Sequence, residues 1–67
     1  MIELVINGAP RSFPETLTVA QLVEVLDLVG KRIAVEKNGE IVPRSQHADT
    51  PLASGDRLEI VVAVGGG

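Results

Sequence analysis

The chain has 67 residues, 45% of them hydrophobic, with no cysteine and a formal net charge of −3. A chain of this size forms one domain with a small core, and the lack of cysteine excludes a disulfide framework and a thiolate metal site. The negative charge and the single aromatic residue, Phe13, argue against a nucleic-acid partner, since such partners need a basic footprint or a stacking platform.

The first residues and the apolar runs predict a cytoplasmic protein. Met1-Ile2-Glu3 has neither the basic region nor the apolar stretch of a secretion signal. No apolar run approaches the roughly 20 residues that span a bilayer. We therefore expect no membrane partner.

The first third of the chain predicts a hairpin. Residues alternate in polarity from Ile2 to Ile6, the period of a half-buried strand. Asn7-Gly8 is the favoured type I′ turn signal, because both positions take positive φ. A second strand follows from Ala9 to about Phe13, and Pro10 within it requires a position at the sheet edge.

A helix is predicted next, from Val19 to Val29. Thr18 and Gln21 form a capping box at its start, and Gly30 supplies the left-handed stop. Leu28 falls on the polar side, as an exposed leucine. The predicted apolar face comprises Val19, Leu22, Val23, Leu26 and Val29.

The second half predicts another hairpin, a loop and a final strand. Strands at Ile33–Lys37 and Glu40–Val42 are joined by the type I′ signal Asn38-Gly39. The segment 43–53 has loop chemistry, and a turn shaped by the Asp56 side chain precedes a strand over 57–64. The core side of that strand carries Leu58, Ile60 and Val62.

This order of elements predicts an α+β fold of the β-grasp, ubiquitin-like type. A helix with one apolar stripe covers one face of a mixed sheet of four to five strands. The most economical closure places the last strand in the sheet centre, parallel to the first. The whole chain, residues 1–67, then forms a single domain.

The side-by-side first and last strands predict an apolar patch on the face away from the helix. Its members are Val5, Val61 and Ala63, with Ala34 or Ile41. Contiguous exposed apolar surface more often marks an interaction site. The alternative is β-propensity alone, since valine suits central strands.

The chain ends on the glycines 65–67, and we expect a flexible tail over 64–67. Glycine loses the most freedom on ordering, so the tail adds no stability but leaves the terminal carboxylate accessible. A frayed terminus is the alternative. Catalysis by the chain itself is not indicated: His47 is expected in a solvated loop, and the serines lack a nucleophile motif.

Several stretches together resemble the ThiS family, sulfur carriers of thiamine thiazole biosynthesis. They are Ile6-Asn7-Gly8, residues 34–44, residues 55–61 and the terminal glycines. The resemblance implies a carrier, not an enzyme, whose Gly67 carboxylate is adenylated with ATP by a ThiF-like partner. The acyl-adenylate is then converted to a thiocarboxylate, with sulfur drawn from cysteine through a desulfurase, and a ThiG-like thiazole synthase takes the sulfur.

The resemblance also implies recognition of Val64, Gly65 and Gly66 by partner enzymes, no permanently bound cofactor, and a monomer when free. Arg44 is a docking candidate, with a solvated loop arginine as the alternative.

Three other functions stay open. One is the small subunit of molybdopterin synthase, with the same thiocarboxylate chemistry; the short chain and residues 38–44 favour the thiazole branch. The others are a ubiquitin-like protein modifier and a β-grasp interaction domain whose glycine tail is incidental.

Overall fold

The structure is a computed structural model that describes residues 1–63, which form a five-stranded sheet packed on an α-helix. The predicted end of the last strand at Val64 and the glycine tail lie outside these residues. The strands are β1 (Ile2–Ile6), β2 (Ala9–Phe13), β3 (Ile33–Lys37), β4 (Glu40–Val42) and β5 (Arg57–Val62); α1 spans Val19–Val25 and a 3-10 helix spans Arg44–Asp49.

The sheet has the strand order β2-β1-β5-β3-β4, which confirms the predicted β-grasp architecture. Central strand β5 runs parallel to β1 and antiparallel to β3. Strand β2 lies at the edge, where the missing N–H of Pro10 costs no ladder bond. The topology thus brings the first and last strands together, with β5 between β1 and β3.

Helix α1 begins with the predicted capping box. The Thr18 hydroxyl accepts from the Gln21 backbone N–H at 3.2 Å, and the Gln21 side-chain oxygen accepts from the Thr18 N–H at 2.8 Å. Each bond satisfies a donor that the first helical turn leaves without an intrahelical acceptor.

The predicted end of the helix is wrong: α1 stops at Val25 and left-handed Asp27 terminates it, whereas Gly30, although left-handed as predicted with φ 84°, lies beyond the end of the helix. Asp27 has φ 60°. Its N–H bonds the Glu24 carbonyl, and the Leu28 N–H bonds the Val23 carbonyl, both at 3.0 Å. This pair of bonds is the Schellman motif.

The early stop also changes which side chains reach the core. Leu28, predicted as exposed, packs against the core because it is the residue after the left-handed cap. Val29, predicted on the apolar face, is 66% exposed.

The core lies between the helix and the inner face of the sheet. On β5, Leu58 and Ile60 are buried as predicted, whereas Val62 is 38% exposed, because it lies near the end of the sheet. The buried apolar residues are Leu4, Ile6, Phe13, Leu17, Val19, Leu22, Val23, Val35, Val42, Leu52, Leu58 and Ile60.

Candidate functional site

Strand β5 carries the chain toward its end, and the Asn7 side chain holds it from the β1 side. The Asn7 Nδ2 donates to the Ile60 carbonyl at 3.1 Å, and its Oδ1 accepts from the Ile60 N–H at 2.8 Å. The Asn7 backbone N–H bonds the Leu58 carbonyl at 2.9 Å. The side-chain amide therefore continues the parallel ladder where β1 has already turned away.

Asn38 holds the start of β5 from the β3 side. Its Oδ1 accepts from the Arg57 N–H at 2.9 Å, and its Nδ2 donates to a carboxylate oxygen of Asp56 at 3.0 Å. The sequence indicated only the turn conformation of the two asparagines and did not predict these side-chain hydrogen bonds. Paired Asn-Gly turns in a β-grasp pattern are the signal that their amides flank a shared strand.

Asp56 organises the turn before β5, as predicted. Its second carboxylate oxygen accepts from the Ala53 N–H at 2.9 Å and lies 4.0 Å from the Lys37 Nζ. Burial alone would raise the pKa of Asp56, but hydrogen bonds from Ala53 and Asn38 and the charge of Lys37 outweigh it. The pKa is therefore held below its ordinary value of 3.8.

The last described residue of the chain, Ala63, lies beside a group of cationic residues. Its N–H donates to the Arg32 carbonyl at 2.9 Å, and the Arg44 Nη2 donates to the neighbouring carbonyl of Lys31 at 3.2 Å. Arg44 and Ala63 are therefore brought together through consecutive peptide groups. Lys31 and Arg32 were not predicted as site residues, although two adjacent cations before a strand were a visible signal. Val64, Gly65, Gly66 and Gly67 lie outside the described residues.

The outer face of the sheet, away from α1, carries the predicted apolar residues but not as one patch. Val61 is 63% exposed and lies level with exposed Ala34 on β3. Val5 is half-buried and lies level with Arg57 in the parallel register. Val5 is thus about 13 Å along β5 from Val61. The prediction that they share one patch is wrong, because a period-two pattern does not define the register between parallel strands.

His47 lies in the 3-10 helix, and its predicted exposure is wrong. It is buried, and its Nε2 lies 3.2 Å from the Val42 carbonyl. Because a carbonyl only accepts, Nε2 carries the proton in this contact. The ring forms part of an open groove of about 360 Å³ between α1 and the 3-10 helix, lined also by Leu28, Ile33 and Arg44. His47 is a structural residue there.

In composition and shape, residues 1–63 favour neither a metal site nor a membrane span. No group of three or more His, Cys, Asp or Glu side chains in this range is arranged to hold a metal ion. None of the helices described is long and apolar enough to cross a membrane.

Comparison with known proteins assigns the chain to a family. The model of the ThiS family matches residues 4–67, which include the terminal glycines. The chain belongs to the ThiS family. This membership supports the role of a small sulfur carrier rather than a catalyst for the chain.

Solved structures agree with this ThiS-family assignment. The crystal structure of the thiamine biosynthesis protein ThiS from Geobacter metallireducens superposes with a TM-score of 0.84 at 32% identity, covering 98% of this chain and 100% of that one. The agreement confirms the β-grasp fold and the resemblance seen in the sequence.

Curated relatives of this ThiS-family chain include much longer proteins. A thiazole synthase of Paramagnetospirillum magneticum is 46% identical over 66 residues, which are 98% of this chain and 20% of that protein. An uncharacterized protein, ycf40, of Porphyra purpurea is 36% identical, covering 98% of this chain and 93% of its own length. The chain therefore spans about a fifth of the thiazole synthase that it matches.

Proposed function

We propose that this chain carries sulfur as a thiocarboxylate at Gly67 for thiazole formation in thiamine biosynthesis. A ThiF-like enzyme adenylates the carboxylate with ATP and releases pyrophosphate. The outer sulfur of a desulfurase persulfide, drawn from cysteine, displaces AMP from the acyl-adenylate, and a thiol reduces the resulting sulfur–sulfur bond to release the thiocarboxylate. A ThiG-like thiazole synthase then takes the sulfur. ATP belongs to the activating enzyme, and the carrier itself holds no cofactor. We propose that the carrier acts in the cytoplasm and is a monomer when free.

The observation that carries this proposal is the ThiS-family match through residue 67. A carboxylate is a poor electrophile, and a mixed anhydride with AMP gives it a good leaving group. A chain without cysteine cannot carry sulfur as a persulfide. The terminal carboxylate is therefore the group best suited to the cargo.

The arrangement around Ala63 supports a role for the tail in partner active sites. Strand β5, which leads to the tail, is held on both sides by Asn7 and Asn38. Five residues from Ala63 span roughly 17 Å when extended. Gly65 and Gly66 would allow close approach of the backbone to the walls of an enzyme channel, because glycine has no Cβ, and Val64 would be recognised next to them.

Partner docking beside the tail is proposed for Arg44, Val61 and Ala63. Arg44 and Ala63 bond to adjacent carbonyls, and Val61 is exposed on the preceding outer-face position. Val5 lies level with Arg57, at the opposite end of β5 from Val61. We propose Val5 as a contact at the border of the docking surface that contains Arg44, Val61 and Ala63.

The thiazole branch is supported by the relatives. Two proteins whose names are thiazole synthase, from Paramagnetospirillum magneticum and Magnetococcus marinus, contain a segment similar to nearly the whole chain. A carrier and its sulfur acceptor within one chain would meet at high effective concentration. This favours the thiazole branch over molybdopterin synthase or protein modification.

Intact-mass measurement tests the proposal. The chain is incubated with a ThiF-like enzyme, ATP and a cysteine desulfurase with cysteine, and we expect a product in which one oxygen is replaced by sulfur. Isopeptide-linked adducts would instead support a protein modifier, and an unchanged mass would support an interaction domain. Transfer of the sulfur to a thiazole synthase, compared with a molybdopterin synthase large subunit, distinguishes the two carrier branches.

Deletion of Gly67 is the matched control. The truncated chain should fold as the full chain does, because residues 1–63 contain the sheet and its core. It should not become adenylated, since its carboxylate stops one residue short of the position that the enzyme activates. Continued activation of the truncated chain would overturn the assignment of the modified residue.

A further inference from the structure

Both asparagines of the chain precede a glycine in a tight turn. Asn7-Gly8 joins β1 to β2, and Asn38-Gly39 joins β3 to β4. Because glycine has no Cβ, its backbone nitrogen is open to close approach by the preceding side chain. Both glycines are exposed, and a Cβ added to either would meet no atom within 4 Å. Water therefore has access to both turns.

An asparagine followed by a glycine can lose its side-chain amide without an enzyme. The glycine nitrogen gives its proton to a base and forms a bond to the asparagine Cγ, and the side-chain nitrogen takes up a proton and leaves as ammonia. The product is a cyclic succinimide. Water then opens the ring at either of its carbonyl–nitrogen bonds, which gives aspartate or isoaspartate. The net change exchanges ammonia for water and requires neither an oxidant nor a reductant.

The backbone restrains the two asparagines alike. Both have φ 51°, and each donates its N–H to a carbonyl of β5, Asn38 to Arg57 at 2.8 Å and Asn7 to Leu58 at 2.9 Å. Each side-chain amide must leave its own hydrogen bonds before the glycine nitrogen can reach Cγ. The reaction rate in the folded chain therefore depends on how often each amide is released by local opening.

The side-chain hydrogen bonds of the two asparagines differ in their access to water. The Asn7 amide bonds both peptide groups of Ile60 in part-buried surroundings, where release leaves these groups without a partner. The Asn38 amide bonds the Asp56 carboxylate and the Arg57 N–H in exposed surroundings, where water replaces it. A charged acceptor makes the stronger bond, but exposure to water reduces that advantage. Release of the Asn38 amide is therefore more frequent.

We propose that Asn38 is a site of spontaneous deamidation in the folded chain, with water as the co-reactant, and that the hydrogen bonds to Ile60 protect Asn7. The reaction requires only the turn and the solvent. It goes beyond the proposed function, because it takes place whether or not the chain carries sulfur.

Deamidation weakens the hold of Asn38 on the start of β5. The Asn38 Nδ2 donates to an Asp56 oxygen at 3.0 Å, and the product has a carboxylate, which only accepts, in its place. Lys37, at 4.0 Å, is the one cation paired with Asp56 within residues 1–63; Arg57 follows Asp56 in the chain but forms no ion pair there. An attraction is thus replaced by a repulsion between carboxylates. The isoaspartate product also lengthens the backbone of the turn by one carbon.

Peptide mass mapping of the full chain tests the proposal. The folded protein and the same protein in concentrated urea are incubated in mildly alkaline buffer at one pH and temperature. Trypsin cleaves after Arg11, Lys37 and Arg44, so the two asparagines fall in the separate peptides 1–11 and 38–44. Separation of the asparagine, aspartate and isoaspartate forms gives a rate for each site. The ratio of the folded rate to the unfolded rate removes the effect of sequence neighbours.

We expect this ratio to be roughly tenfold higher at Asn38 than at Asn7, because the part-buried amide is released less often. Equal ratios would overturn the proposal, since both sites would then react only through unfolding of the whole chain. A higher ratio at Asn7 would also overturn it. So would the absence of product at Asn38 in the folded chain over a period that converts the unfolded chain.

Two variants test the consequence for β5. Asn38→Asp supplies the aspartate product directly, and Asn38→Gly removes the same amide without adding a charge. We expect a lower unfolding midpoint in urea for Asn38→Asp than for Asn38→Gly, and high salt should narrow the difference, since salt screens charges. Equal midpoints, or a difference that salt leaves unchanged, would overturn the repulsion between the new carboxylate and Asp56.

Discussion

The two Asn-Gly turns have the same local conformation but different surroundings. Asn7 and Asn38 both have φ 51°, and the glycines that follow have φ 82° and 87°. The Asn7 amide forms its two bonds to the peptide groups of Ile60, in part-buried surroundings, whereas the Asn38 amide bonds the Asp56 carboxylate and the Arg57 N–H in exposed surroundings.

This difference shows that one dipeptide serves two purposes. The turn needs only the left-handed backbone, which asparagine and glycine both accept. The side chains add tertiary bonds that hold β5 from opposite sides, and their contribution depends on access to water. A bond among part-buried groups is costly to lose because no solvent replaces it, whereas water substitutes for an exposed one.

The largest effect should come from Asn7→Gly compared with Asn38→Gly. Glycine keeps the positive φ at both sites but removes the amide. We expect Asn7→Gly to lower the free energy of unfolding by about 1–3 kcal/mol, because the Ile60 peptide groups lose their partners, and Asn38→Gly by about 0.5–1.5 kcal/mol. Urea denaturation measures both. Equal losses would contradict the role of solvent access.

The glycines of the two turns should behave alike, in contrast to the asparagines. An added Cβ at Gly8 or Gly39 meets no atom within 4 Å, so Gly→Ala introduces backbone strain without a clash. We expect each variant to lose about 1 kcal/mol. Thermal unfolding of the two proteins side by side tests this, and a clearly larger loss at one turn would show that the backbones are not equivalent.

Asp27 is a third non-glycine residue with a left-handed backbone. Unlike the side chains of Asn7 and Asn38, its side chain forms no hydrogen bond within the described residues. Its φ is 60°. Asp27→Gly relieves the backbone strain but increases the freedom of the unfolded chain, so we expect a net gain of roughly 0.5 kcal/mol. A loss of stability in urea would mean that the Asp27 side chain contributes to the helix end.

The smallest effect concerns pH. The pKa of Asp56 is lower in the folded chain, so its contribution is complete above the ordinary value of 3.8 and is lost as the pH falls through the lower folded value. Asn38 donates to this carboxylate, and Asn7 contacts only uncharged peptide groups. The stability loss of Asn38→Gly should therefore shrink below pH 3.8, while that of Asn7→Gly persists. Denaturation at neutral pH and in acid compares the two.

Much of the fold was predictable because the signals were local. The Asn-Gly turns, the capping box at Thr18 and the alternation in β1 each need only a few neighbouring residues. The helix end was not predictable from Gly30, because α1 ends earlier, where left-handed Asp27 is followed by Leu28 packed on the core. The burial of His47 likewise depends on contacts with distant elements.

The candidate site was likewise predictable only in part. Ile6-Asn7-Gly8, residues 34–44, residues 55–61 and the terminal glycines were together sufficient for the resemblance to the ThiS family. The register was not in the sequence: it separates Val5 from Val61 and places Glu36 opposite Glu59. A pattern of period two assigns each residue to a face but leaves its neighbour across the sheet undefined.

By itself, the sequence determined the strands, the start of the α-helix, both Asn-Gly turns and the family, because these depend on local backbone preferences and on residue order. The 3-10 helix over Arg44–Asp49 was predicted only as a loop. Only the tertiary structure decided which side chains meet. In the tertiary structure two asparagines hold β5, Arg44 and Ala63 bond to the consecutive carbonyls of Lys31 and Arg32, and Glu36 lies opposite Glu59. These contacts arise between residues far apart in the chain, where packing and strand register determine the neighbours.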